Sequence, residues 1–158
     1  MIYISALLVI IILLLTTVSV HYFVLRLLTP FINNVGSEPR TVITIVVALF
    51  FAHSIEILIY ASFYHLAGDY PMLGGFSEQS TNDFSTAIFL SLLAFSSLGI
   101  SEFYLTGSLR LVVGFEALNG LLLIAWSASF TFMAMGKLWN CSNCETIIME
   151  VQSKYKHH

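Results

Sequence analysis

Two pairs of polar residues interrupt long apolar stretches of this sequence. His53 precedes Glu56 by three residues, and Glu116 precedes Asn119 by three residues, the spacing of neighbours on one helix face. Counted by helical rise, all four fit into one buried layer. Ionisable groups in an apolar interior must pair, be protonated or contact water. The pattern predicts either a proton-sensitive network or a set of interhelical hydrogen bonds that only holds the fold.

The two cysteines, Cys141 and Cys144, form a C-x-x-C pair. This spacing is that of half a zinc site or of a thiol-disulfide redox pair. A four-cysteine zinc site would need a second chain, and no thioredoxin-like strand pattern surrounds the pair. We interpret the pair as reduced cytosolic thiols that are weak metal candidates at most. A membrane thiol-redox protein is kept as an alternative function.

The composition excludes several classes of protein. Of 158 residues, 58% are apolar and 9% are charged, and the mean hydropathy is +0.88, whereas a soluble domain has about a quarter of its residues charged. Six Lys and Arg residues and a net charge of −3 predict no nucleic-acid partner. No Gly-rich phosphate loop and no His-Glu-x-x-His motif occurs. The sequence therefore predicts a membrane protein that is not an enzyme and has no cofactor.

Three apolar segments are long enough to cross a bilayer as helices, which takes roughly 20 residues. They cover residues 1–28, 41–65 and 108–136. A fourth apolar segment, 84–95, would rise only about 18 Å as a helix. This half-span predicts a re-entrant helix, because the irregular segment after it would leave unpaired backbone groups if it were exposed to lipid.

Basic residues predict the orientation. They concentrate at the ends of the first linker and in the C-terminal tail, with Arg110 as the exception: Arg26, Arg40, Lys137, Lys154 and Lys156. Because cytosolic segments carry the excess of Lys and Arg, we expect an integral plasma membrane protein with its N-terminus outside and its C-terminus in the cytosol.

A re-entrant helix followed by a returning loop is typical of a pore. The negative end of the helix dipole points at the bilayer centre, where a dehydrated cation is otherwise unsupported. One loop encloses nothing, so several subunits have to gather around an axis. Four copies are the natural closed arrangement.

The segment after the half-span reads Phe95-Ser96-Ser97-Leu98-Gly99-Ile100-Ser101-Glu102. It resembles T-T-V-G-Y-G-D, the pore signature of bacterial two-transmembrane potassium channels. The run 110–127 is similar to their inner helix, and His53-Ser54-Ile55-Glu56-Ile57 is similar to their outer helix. The similarity covers about residues 41–135. Outside it lie a short tail and an extra first span, which we expect to pack peripherally on the outer helix.

The resemblance implies an all-α integral membrane subunit with three transmembrane helices, a re-entrant pore helix and a filter loop, assembled as a homotetramer in the lipid bilayer. It implies passive conduction of a monovalent cation, potassium or sodium, with Gly120 as the hinge of the inner helix. The implied ion filter is Ser97, Leu98, Gly99, Ile100, Ser101 and Glu102. The first implied segments are an N-terminal helix (1–28), a cytosolic linker (29–40), an outer helix (41–65) and an extracellular linker (66–82). They are followed by a pore helix (83–96), a filter loop (97–107), an inner helix (108–136) and a cytosolic tail (137–158).

Two filter positions depart from the family signature. Ile100 replaces the aromatic residue and Ser101 replaces the second glycine. Serine at the left-handed backbone angles that glycine allows costs about 1–2 kcal/mol. We therefore expect a distorted, wider or collapsed filter, and potassium selectivity is in doubt. The alternative is a non-conducting accessory or regulatory membrane subunit that has kept the scaffold.

Overall fold

The chain is helical throughout the long segments that the computed structural model describes, which are residues 2–33, 38–67, 83–98 and 106–156. The helices in these segments are α1 (Ile2–Asn33), α2 (Glu38–Ala67), α3 (Phe84–Phe95) and α4 (Leu109–Lys156). Three of them contain segments long and apolar enough to cross a membrane: Ile4–Ile32, Pro39–Ala67 and Leu109–Trp139. The prediction of an all-α fold is confirmed for the described residues, and three of its helices are long and apolar enough to span a membrane, as predicted.

The helix ends extend beyond the predicted ones. α1 continues through Pro30, because a proline in the last turn removes only one helical hydrogen bond. Pro39 lies in the first turn of α2, where its missing N–H has no helical partner to lose. α4 continues past the predicted end at residue 136 to Lys156, since a single glycine lowers helix stability by only about 1 kcal/mol and no proline follows. Residues 137–156 therefore form part of this helix, and the predicted cytosolic location of 137–158 stays a prediction.

Several hydroxyl groups on the outer surface of the helices are satisfied within their own helix. Each of them lies within hydrogen-bonding distance of the carbonyl oxygen four residues earlier, which removes an unpaired donor from the apolar surroundings. The pairs include Thr16 with Ile12, Ser19 with Leu15, Thr44 with Arg40, Ser54 with Phe50, Ser62 with Leu58 and Ser129 with Ala125.

The first helix is an integral part of the bundle. α1 contacts both α2 and α4, whereas α3 packs against α2 and α4. The first span packs on the predicted outer helix, α2, as expected, and it also packs on α4; its peripheral position in an assembly stays a prediction. α1 packs on both helices because it carries its own buried polar residues, Thr17 and His21, which need partners on the other two long helices.

Two apolar clusters lie towards opposite ends of the bundle. One joins α1, α2, α3 and the start of α4, and it contains Ile10, Leu13, Tyr60, Ala61, Tyr64, Ala67, Ala87, Leu90, Ala94, Leu109, Val112 and Val113. The other joins α1, α2 and the later part of α4, and it contains Leu25, Leu28, Ile32, Ile45, Leu49, Phe130 and Ala134. Along α1, Thr17 and His21 fall between the two clusters.

The short helix α3 runs antiparallel to α2. At its start, the ring of Phe84 lies 5.6 Å from the ring of His65 near the end of α2. At its end, the ring of Phe95 lies 5.5 Å from the ring of His53. His53 is fourteen residues after Pro39 and fourteen before Ala67, the two ends of the candidate span. α3 therefore extends from one end of this span to its middle.

Candidate functional site

The four predicted polar residues are all turned into the bundle. Glu56 and Glu116 are fully buried, Asn119 is 2% exposed, and the His53 side chain is 19% exposed. They do not form one mutual cluster. His53 bonds to Glu56, whereas Glu116 and Asn119 bond to partners that sequence reasoning did not select. Glu56, Glu116 and Asn119 are buried and His53 is partly buried, whereas the role of these four residues as one functional layer stays a prediction.

Glu56 belongs to a closed ring of four side chains from three helices. Its Oε1 lies 2.9 Å from Nδ1 of His21 on α1, and its Oε2 lies 2.9 Å from Nδ1 of His53. On the far side of both imidazoles, the hydroxyl oxygen of Ser127 on α4 lies 3.3 Å from Nε2 of His21 and 3.0 Å from Nε2 of His53. We call these four residues the Glu56 ring. It ties α1, α2 and α4 together at the middle of α2.

Aromatic side chains flank the Glu56 ring. The indole of Trp126 lies 5.4 Å from the imidazole of His21, and Phe95 at the end of α3 contacts His53 as described above. The imidazoles themselves stack, with centroids 5.3 Å apart. Low-polarity neighbours strengthen hydrogen bonds and raise the cost of leaving one unmade. The ring therefore contacts Phe95, the last residue of α3, directly through His53.

Glu116 joins α4 to both α2 and α3. The hydroxyl of Tyr64 donates to its Oε2 at 2.5 Å, and the hydroxyl of Ser91 lies 2.5 Å from its Oε1. Ser91 also lies 3.0 Å from the carbonyl oxygen of Ile57. A protonated Glu116 satisfies all three contacts at once, because it donates to Ser91 while Ser91 donates to Ile57. It also avoids a bare charge in an apolar interior.

Asn119 joins α4 to α1 and α2. Its side-chain amide donates to the hydroxyl of Thr17 at 2.8 Å and to that of Tyr60 at 3.2 Å. Thr17 is also within 3.0 Å of the carbonyl oxygen of Leu13. Together with the Glu56 ring, this contact explains why α1 is built into the bundle.

Sequence reasoning missed the residues that complete these networks. They are Thr17, His21, Tyr60, Tyr64, Ser91 and Ser127. One signal was present for His21: it is an ionisable residue inside a long apolar segment, where it is expensive unless paired. The hydroxyl residues gave no comparable signal, because serine and threonine in such helices commonly bond to their own backbone.

The end of α3 is a capped turn. Ser97 has a φ of 56°, its N–H donates to the carbonyl oxygen of Ala94 at 2.9 Å, and the N–H of Leu98 donates to that of Leu93 at 3.1 Å. This pair of bonds is the Schellman motif, in which glycine is usual at the left-handed position. Of the predicted filter, Ser97 and Leu98 belong to this cap. Gly99, Ile100, Ser101 and Glu102 lie outside the described residues.

Gly120 lies where α4 touches the end of α3. A Cβ atom at this position would lie 2.3 Å from the carbonyl oxygen of Phe95. Only glycine permits so close an approach of the two backbones. Gly120 therefore has a packing role, and its predicted role as a hinge stays a prediction.

The start of α3 is polar and exposed. Asp83 is the N-terminal cap residue, and a hydrogen bond from the Ser85 hydroxyl lowers the pKa of its carboxyl group. Asp83 is therefore ionised at neutral pH beside the positive end of the α3 dipole.

Two imidazoles and a carboxylate are also groups that zinc and iron bind. The donor atoms of His21, His53 and Glu56 lie within 4.8 Å of one another. In the structure, all four imidazole nitrogens already lie at hydrogen-bonding distance from Glu56 or Ser127. The arrangement fits hydrogen bonds better than a metal ion. Cys141 and Cys144 lie on α4 beyond the last described side chain, Trp139.

Comparison with known proteins returns no relative: no protein-family model, no curated protein and no solved structure matches this chain. The fold and the site define the class of protein, which is an all-helical chain with three helices able to span a membrane and a buried polar network between them.

Proposed function

We propose that this chain is one subunit of a tetrameric pore-loop cation channel that conducts a monovalent cation passively, with its N-terminus outside the cell and its C-terminus in the cytosol. The observation that carries the proposal is the position of α3. Its start is level with the end of α2 and its end is level with the middle of α2. A helix in that position extends through half of the membrane.

The direction of α3 relative to α4 supports a loop that returns. Ser91 contacts Glu116 and Phe95 contacts Gly120, so the two helices run parallel. The end of α3 is level with Gly120, which is eleven residues after α4 begins at Leu109, or about 16 Å along the helix axis. α4 therefore begins near the end of the bundle at which α3 starts.

The electrostatics at the end of α3 suit a cation. The helix dipole places roughly half a negative charge at the C-terminus of a helix, here near the middle of the candidate span. In the proposed assembly, four such ends surround one axis, and the segment Ser97 to Glu102 of each subunit lines the passage. The proposed passage requires no cation ligands from α1, α2 or α4.

An exposed apolar face supports assembly. Leu92, near the end of α3, is 45% exposed in the single chain, and Leu98, three residues after α3 ends, is 77% exposed. Neighbouring subunits around the axis would cover this face.

Ion flux through liposomes tests the proposal. We expect the purified protein to pass potassium and sodium down their gradients, with only a small change in reversal potential when one replaces the other. In a variant carrying Cys141→Ser and Cys144→Ser, an added Glu102→Cys substitution should make flux sensitive to a cationic thiol reagent applied from outside. Glu78→Cys in the predicted extracellular linker is the matched control, and its modification should leave most of the flux.

A non-conducting accessory subunit is the second candidate. The cap at the end of α3 favours it, because the carbonyl oxygens of Leu92, Leu93 and Ala94 each already accept a hydrogen bond from the turn, which leaves them weaker ligands for an ion than unpaired carbonyls. Absence of flux at every pH and voltage would overturn the channel proposal and leave this one.

A further inference from the structure

The number of protons in the Glu56 ring follows from its geometry. Four hydrogen bonds close the ring, so four hydrogens have to lie between its members. The hydroxyl of Ser127 supplies one and each neutral imidazole supplies one. An ionised Glu56 supplies none. The ring is therefore one hydrogen short when its groups are in the forms that prevail in water at neutral pH.

A fourth proton supplies the missing hydrogen of the ring in either of two arrangements. One imidazole becomes doubly protonated beside an ionised Glu56, or Glu56 is protonated and the imidazoles carry their hydrogens on opposite nitrogens. In both forms every contact has one hydrogen and the ring has no net charge. The three-proton form has a net charge of −1 and brings two acceptors together. An unpaired charge and an unmade hydrogen bond are both expensive in an apolar interior.

We infer that the Glu56 ring is a proton-binding site that holds one proton in addition to those of neutral imidazoles and an ionised carboxylate, and that this proton locks α1, α2 and α4 together. The inference does not depend on whether the protein conducts ions.

The groups that face the Glu56 ring do not change the number of hydrogens that its four bonds require. From α4, Trp126 contacts His21, and from α3, Phe95 contacts His53. Neither side chain titrates. The next titratable groups are Tyr60 on α2, which accepts from Asn119, and Glu116 on α4, which is bonded to Tyr64 and Ser91. Arg26, the nearest basic residue along α1, is exposed.

The substitution Glu56→Gln separates this proton from the shape of the ring. A glutamine amide donates one hydrogen and its carbonyl oxygen accepts one, so the variant closes all four bonds with neutral imidazoles. The wild-type protein then binds one more proton than the variant in the folded state. In the unfolded state above pH 5, Glu56 is ionised and this difference vanishes.

The pH dependence of unfolding tests the inference. Stability falls as pH rises wherever the folded state binds more protons than the unfolded state. We expect the unfolding constant of the wild-type protein, relative to that of Glu56→Gln, to increase tenfold per pH unit from pH 5.5 upwards, until the folded ring releases its proton. The measurement uses purified full-length protein in detergent micelles with a chelator present. All other titratable groups are common to both proteins and cancel.

Asp83→Asn is the matched control, since Asp83 is an exposed carboxyl group that is ionised in the folded and unfolded states above pH 5. Its profile should stay parallel to that of the wild-type protein. Parallel profiles for Glu56→Gln and the wild-type protein would overturn the inference.

Nitrogen NMR of histidine-labelled wild-type protein provides a second measurement should Glu56→Gln fail to fold. At pH 7.5 we expect the imidazoles of His21 and His53 to differ in protonation. Two imidazoles that each carry a single hydrogen on Nδ1 would show a three-proton ring and would overturn the inference.

Discussion

A close backbone contact between α3 and α4 depends on a single residue, Gly120. Its missing side chain lets the carbonyl group of Phe95 approach α4, since a Cβ atom would lie 2.3 Å from the oxygen. The capped turn that ends α3 begins at Ser96, the residue after Phe95. The depth to which α3 enters the bundle is therefore set by the size of residue 120.

Gly120→Ala should destabilise the protein by about 1–3 kcal/mol, because this is the usual free-energy cost of the backbone shifts that overpacking forces. The measurement is unfolding in detergent followed by circular dichroism. Gly114→Ala is the matched control on the same helix, since a Cβ atom there meets nothing within 4 Å. We expect that variant to gain up to about 1 kcal/mol from the higher helix propensity of alanine. Equal effects of the two substitutions would contradict a packing role for Gly120.

At the scale of elements, the sequence predicts helices better than it predicts their partners. The bounds of α3 follow almost directly from the apolar run between Asp83 and Ser96, because a twelve-residue helix cannot be confused with a span. The partners of Glu56 and Glu116 were not predictable, since the relative rotation of helices is set by packing between distant segments. His21 bonds to Glu56, thirty-five residues further along the chain. Neither segment contains a pattern that predicts this pairing.

Glu116 links three elements through two hydroxyl groups, and the nature of that link is testable. Glu116→Gln should change the free energy of unfolding by less than about 1 kcal/mol, because an amide still donates to Ser91 and accepts from Tyr64. Glu116→Leu should destabilise by about 2–3 kcal/mol, because it leaves the buried hydroxyl of Tyr64 without its acceptor. Both values come from denaturant unfolding of the purified protein. A loss with glutamine as large as that with leucine would indicate that Glu116 is ionised and held by its charge.

At the scale of the whole molecule, length and hydropathy predicted three helices long enough to span a membrane and one shorter apolar helix, and the described residues contain these four helices. That α3 enters the membrane as a half-span stays a prediction. The number of subunits was not predictable in the same way. Apolar residues that face lipid and those that face another subunit have the same composition, so the exposed faces of α3 and α4 carry no sequence mark that distinguishes the two. Of the predicted filter, residues 99–102 lie outside the described part of the chain.

The topology can be tested independently of conduction. If α3 enters the membrane and the chain returns, Asp83 before α3 and Thr106 before α4 lie on the same side of the bilayer. Single cysteines at 83 and 106, in a variant carrying Cys141→Ser and Cys144→Ser, should both react with a membrane-impermeant thiol reagent applied to intact cells. A cysteine at Lys156, at the far end of α4, should react only after the cells are opened. A fully crossing α3 would put residues 83 and 106 on opposite sides, and labelling of only one of them in intact cells would exclude the re-entrant arrangement.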